Sequence, residues 1–135
     1  MKKAYVLDAS AMLVLLDRRP DARRIRQLIA NADRLDTTLL VSVVSLGEVF
    51  YISWHRHGEQ SARDTLDDLS LLPIQILPVD SPQALKAGEL KALHHIPYVD
   101  CLAAALSQMH QATLVTSDGD FKKLGRHFPI MWLER

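Results

Sequence analysis

Four acidic residues, Asp8, Glu48, Asp100 and Asp118, stand where a folded chain could bring carboxylates together. Asp8 closes the apolar run KAYVLD from Lys3, and Asp118 follows the apolar run TLVT from Thr113 to Thr116. Carboxylates gathered in one pocket repel one another and hold each other's pKa values up unless a cation neutralises them. A donor set made only of oxygens prefers hard Mg²⁺, with Mn²⁺ as a substitute, over zinc. Magnesium keeps several waters of its own, and one of these can become a nucleophile.

The elements that must position these acids alternate along the chain. A strand over Lys3 to Asp8 leads into a helix over Ser10 to Arg19, and Asp21 caps a second helix, DARRIRQLIANAD, with its apolar stripe on Ile25, Leu28 and Ile29. Leu39 to Val44 reads as a buried strand, followed by helices from Ser45 to His57 and from Glu59 to Leu72, with Gly58 between them. Ile74 to Val79 is the third strand. Ser81-Pro82 then opens a helix to about His94, and Pro97 introduces another, VDCLAAALSQMHQ. Thr113 to Thr116 is the fourth strand, Ser117 to Asp120 a turn, and Ile130 to Leu133 a fifth strand. Alternation of this kind predicts an α/β domain, a mainly parallel sheet of four to five strands with helices on both faces. In such sheets functional groups collect beyond the carboxyl ends of the strands. Strands one and four, if adjacent, would bring Asp8 and Asp118 together. Glu48 in the first turn of the helix after strand two and Asp100 in the first turn of the helix before strand four would lean over the same end.

With 135 residues, 48% of them hydrophobic, the chain can bury one core without disulfides, and residues 1–135 read as one domain. Sixteen basic residues balance sixteen acidic ones, so any attraction for nucleic acid must come from local patches. One cysteine, Cys101, excludes an internal disulfide and fits a reducing cytoplasm. Lys2 and Lys3 precede an apolar stretch, but Asp8 interrupts it and Asp17-Arg18-Arg19 follows, which argues against a secretion signal. No apolar run approaches the length of a membrane span, and a soluble protein is expected.

Each acid also has a structural use. Ser45-Leu46-Gly47-Glu48 has the form of a capping box, Asp8 can cap the first helix in competition with Ser10, Asp100 suits a helix start, and Asp118-Gly119 suits a turn. The case for chemistry rests on their joint placement.

Four segments resemble the PIN domain, and within it VapC-like ribonucleases, over nearly the whole chain. VLDASAML is similar to the family's first strand and maps onto Asp8 and Ser10; SLGEVFY places an acid at Glu48. IPYVDCLAAAL resembles the P-x-x-D-x-x-x-A segment and places Asp100. LVTSDGDF resembles T-x-D-x-D-F, with Asp118 in the fourth acidic position, Asp120 in an auxiliary one and Thr116 supplying a hydroxyl. The resemblance implies a three-layer α/β/α fold and a magnesium-dependent endoribonuclease whose metal is held by Asp8, Asp100 and Asp118, with Glu48 ordering a second ion or its waters. It also implies products with 5′-phosphate and 3′-hydroxyl ends. A VapB-like antitoxin and a homodimer are the implied partners.

Ser10, Thr116 and Ser117 are candidates for orienting waters or phosphate. Arg18, Arg19, Arg23, Arg24 and Arg26, and Lys122, Lys123 and Arg126, are candidates for RNA contact, set against a solvated helix face. The six histidines form no zinc pattern, Cys101 reads as a packed thiol, and Tyr51 and Trp54 read as packing residues. Val14, Leu15, Val49, Phe50 and Ile52 are core residues by default or contributors to a groove. The alternatives are a non-catalytic binding module of the same fold, a housekeeping PIN nuclease, and a phosphohydrolase with an aspartyl nucleophile, which would want an acid where Ser10 stands.

Overall fold

The computed structural model describes residues 2–34 and 36–134; the expected domain limits, 1 and 135, lie outside them. Five strands form one sheet in the order β3-β2-β1-β4-β5: β1 Lys3–Leu7, β2 Thr37–Ser42, β3 Ile74–Leu77, β4 Thr113–Thr116 and β5 Ile130–Trp132. Every pairing is parallel, with Leu7 opposite Val115 and Thr116 opposite Trp132. Because a parallel sheet is covered on both faces, its central strands carry apolar side chains on both sides. Val6 joins a core with Leu40 and Leu114, and Leu7 joins another with Leu39, Val41 and Val115.

Helices α1 Ala9–Leu16, α2 Ala22–Asp33, α3 Val43–His57 and α4 Glu59–Ser70 supply the second of these cores, while α5 Ser81–His94 and α6 Tyr98–Met109 supply the first. The expected α/β/α layering is the observed one. Strand order turns back between β1 and β4, and the crevice at that point lies beyond their carboxyl ends.

Local boundaries differ from the sequence reading where a cap decides them. Helix α3 begins two residues early because Ser42, not Ser45, is its cap: the Ser42 hydroxyl accepts from the Val44 N–H at 3.2 Å. Ser45 lies inside the helix, so there is no capping box and Glu48 sits in the second turn. Asp80 rather than Ser81 caps α5, accepting from the Gln83 N–H at 2.9 Å, and Ser81-Pro82 form its first turn. Asp21 precedes α2 without capping it; its carboxylate accepts from the Glu134 N–H at 2.6 Å and ties down the end of the described chain. The turn after β4 continues into a 3-10 helix, Gly119–Leu124. Gly58 has φ +89°, a left-handed conformation that costs glycine little, and it lets α4 follow α3 with no intervening loop. Among the described residues no helix is long and apolar enough to cross a membrane.

Candidate active site

Asp8 is the first residue past β1, it is buried, and both oxygens of its carboxylate accept hydrogen bonds. Oδ1 accepts from the Ser10 hydroxyl at 2.7 Å and the Ala11 N–H at 2.8 Å, so Asp8 does cap α1; Oδ2 accepts from the Thr116 hydroxyl at 2.5 Å. Ser10 and Thr116 thus spend their single protons on Asp8. Their oxygens remain acceptors: Ser10 takes the Ser117 N–H and Thr116 takes the Asp118 N–H, each at 2.9 Å. The loop after β4 is therefore pinned to the loop after β1 through two hydroxyls. Asp118 Oδ1 in turn accepts from the Asp120 N–H at 2.9 Å, which starts the 3-10 helix.

Asp100, in the first turn of α6, faces this loop. Asp100, Asp118 and Asp120 each offer a carboxylate oxygen within 4.8 Å of the others. Glu48 approaches from α3, half-buried and close enough to Asp8 and Asp118 to feel their charge. The four acids singled out in the sequence stand at one end of the sheet, and Asp120 stands with them.

The electrostatics follow from that crowding. Burial raises the Asp8 carboxyl above the ordinary range, opposed by the hydrogen bonds from Thr116, Ser10 and Ala11 and reinforced by Asp118. Burial, then Asp8 and Asp118, raises Glu48. Asp100 is pushed up to about 7 by burial first, then by the negative charges of Asp118, Asp8, Glu48 and Asp120. Among the described residues no lysine, arginine or histidine forms an ion pair with any of these five carboxylates. A pocket with this much unbalanced negative charge and only oxygen donors fits a hard divalent cation.

The sequence matches the family described as PIN domain over residues 5–127. The chain belongs to the PIN domain family. Proteins with PIN domains are generally nucleases that use a divalent metal. No curated protein matches the chain. Among solved structures it is similar to VapBC2 from Rickettsia felis bound to a DNA fragment from their promoter, with 21% identity over 95% of this chain and 97% of that one and a TM-score of 0.76. It is similar to VapC20 of Mycobacterium tuberculosis, described as a sarcin-ricin loop cleaving toxin (17% identity, 90% and 95% covered, TM-score 0.70). VapBC-1 from nontypeable Haemophilus influenzae gives 19% identity, 97% of each chain and a TM-score of 0.70. At these identities the likeness is one of fold.

Around the PIN-domain acids the remaining candidates separate by position. Arg18, Arg19, Arg23, Arg24, Arg26, Lys122, Lys123 and Arg126 are exposed. Arg24 is occupied by the Trp132 carbonyl at 2.7 Å and by Asp21, and the Lys122 ammonium lies 6.0 Å from the centre of the Trp132 ring. Arg56, which the sequence reading passed over because it sits in the mixed run WHRH, pairs with Asp17 at 3.0 Å and lies on the same cleft as Arg19. Cys101 is buried, its thiol directed at the Ile96 carbonyl at 3.7 Å and pushed up by burial. The histidines join no metal-binding group among the described residues. Val14 and Val49 are core, and Leu15 packs against it. Trp54 packs edge-on against Phe50, with Arg63 over both rings, while Tyr51 is half-exposed beside His55.

Proposed function

We propose that this PIN-domain protein is a magnesium-dependent endoribonuclease, manganese substituting, and that it is the cytoplasmic toxin of a VapBC-like pair. The observation that carries the reading is the acidic end of the sheet, where Asp8, Glu48, Asp100, Asp118 and Asp120 share one electrostatic neighbourhood and, among the described residues, no basic side chain forms an ion pair with them. Asp8, Asp100 and Asp118 would hold the ion. Asp120 joins them because its carboxylate lies within reach of those of Asp100 and Asp118. When bound, the ion supplies Lewis-acid stabilisation of a phosphoryl oxygen and a lowered pKa for water.

The chain's own residues do the positioning. Ser10 and Thr116 fix the plane of the Asp8 carboxylate, whose Oδ2 accepts, among the described residues, from Thr116 alone and keeps a lone pair. The Thr116 hydroxyl also holds the Asp118 backbone, so the two acids keep their separation when substrate arrives. Glu48, with its raised proton affinity, faces the same space and suits ordering or deprotonating a water there. Structural likeness to toxin–antitoxin complexes supports a VapB-like antitoxin as partner, and the family resemblance supports a homodimer.

Cleavage of total cellular RNA by purified protein tests the reading. Cleavage is expected with Mg²⁺ or Mn²⁺, none with chelator, and a loss beyond about 100-fold in Asp100→Asn, more than an outer-shell partner of a metal usually costs. A wild type that stays inert with both metals after removal of copurified antitoxin would instead support a non-catalytic binding role.

A further inference from the structure

The acidic site opens sideways into a cleft of about 310 Å³ that shares Ser10, Ser117 and Asp118 with it. Whatever fills this cleft therefore lies against Ser10 and Ser117, whose hydrogen bond ties the loop before Asp118 to the start of α1. Its volume is near the lower end of the range for small-ligand pockets, about 300 to 1,000 Å³, which suits one nucleotide.

Chemistry changes across the cleft. Besides the residues of the acidic site, the cleft is lined by Leu13 and Val14, which offer an apolar surface for the face of a base or sugar, and by Asp17, Arg19 and Arg56. Both arginines line the same cleft as Asp118. A second cleft, sharing Asp17, Arg19 and Arg56, carries the basic track onward past Arg18 and His57. Asp17 steadies Arg56 through one nitrogen at 3.0 Å, which leaves most of the five guanidinium donors for another acceptor. Arg19 forms no ion pair among the described residues. In a molecule with no net charge, a polyanion needs such a local track to lie beside an acidic pocket.

We propose that this cleft is the subsite for the nucleotide next to the scissile phosphodiester, with Arg19 and Arg56 holding the flanking RNA phosphate. The assignment rests on the nuclease reading and states where its substrate runs. It singles out Arg19 from the arginine-rich segment and leaves Arg23 and Arg26, on α2, outside the track.

Binding of a short fluorescein-labelled oligoribonucleotide to full-length protein in the Asp100→Asn background, with Mg²⁺ present, tests it. Added Arg19→Ala and Arg56→Ala each weaken binding about tenfold, the lower end for one charge-assisted contact. Together they flatten the dependence of log affinity on log salt by about 1.4, the value for two single-strand phosphate contacts. Lys2→Ala, at the opposite end of the sheet, leaves both unchanged. Arg19→Ala breaks no ion pair and decides the matter should Arg56→Ala disturb α3. Arginine variants that bind within about twofold of their parent, or that lose only antitoxin binding, overturn the subsite. If wild type meanwhile cleaves RNA, the nuclease reading stands without it; an inert wild type removes the nuclease reading first.

Discussion

Thr116 ties two of the site's acids together. Its hydroxyl donates to Asp8 Oδ2 and accepts from the Asp118 N–H, and the residue is wholly buried. In Thr116→Val the shape is kept, but a carboxylate oxygen and an amide lose their partner away from water. A buried polar group left unsatisfied costs about 1–3 kcal/mol. Denaturant unfolding of Thr116→Val is expected to show a loss in that range, with RNA cleavage lowered as Asp8 and Asp118 lose their common tether. Thr116→Ser keeps both bonds and is expected to recover most of the stability and activity. A valine variant as stable and as active as the wild type would show that the two hydroxyl hydrogen bonds do not hold the site.

At the scale of elements, the boundary between β2 and α3 decides what Glu48 can do. The apolar run from Leu39 to Val44 has no internal signal for where extended backbone ends, and Ser45-x-x-Glu48 offers an attractive false start. The chain uses Ser42 because β2 is hydrogen-bonded to β3 only as far as the Ser42–Leu77 pair, after which the Ser42 hydroxyl can take the Val44 N–H. Glu48 is thereby released from capping and turned toward Asp8 and Asp118. Removing the true cap in Ser42→Ala is expected to lower stability by about 1 kcal/mol in thermal or urea unfolding. No change would mean that sheet pairing alone sets the start of α3.

For the whole molecule, a balanced charge conceals a polarised distribution, with uncompensated carboxylates at the crevice between β1 and β4. The Asp100 carboxyl has its proton affinity raised from 3.8 to about 7 in the folded protein. A raised carboxyl pKa contributes stability that is complete below the unfolded value and is lost as pH rises through the folded one. The metal-free protein is therefore expected to lose thermal stability between roughly pH 4 and 7. Because Asp100 is only half-buried, solvent screening reduces the effect to about 1 kcal/mol, near 3 °C in the melting midpoint of a domain this size. Asp100→Asn should melt higher than wild type by about that amount above pH 7 without metal, and Mg²⁺ should restore the wild type more than the variant. A metal-free midpoint independent of pH over this window would show that the acids do not crowd one another.

The sequence by itself determined the alternation of strands and helices and a mainly parallel sheet, because apolar periodicity is a local property of the chain, and it marked Asp8, Glu48, Asp100 and Asp118 as the candidate acids. The hydroxyls of Ser10 and Thr116 were also visible, though their shared hold on Asp8 was not. Tertiary structure alone decided the strand order that sets β1 beside β4, the cap at Ser42, the approach of Asp120 to Asp100, and the meeting of Arg19 with Arg56 across one cleft. Each of these depends on which distant segments pack together, and a one-dimensional pattern carries the chemistry of a residue but not the identity of its neighbour in space.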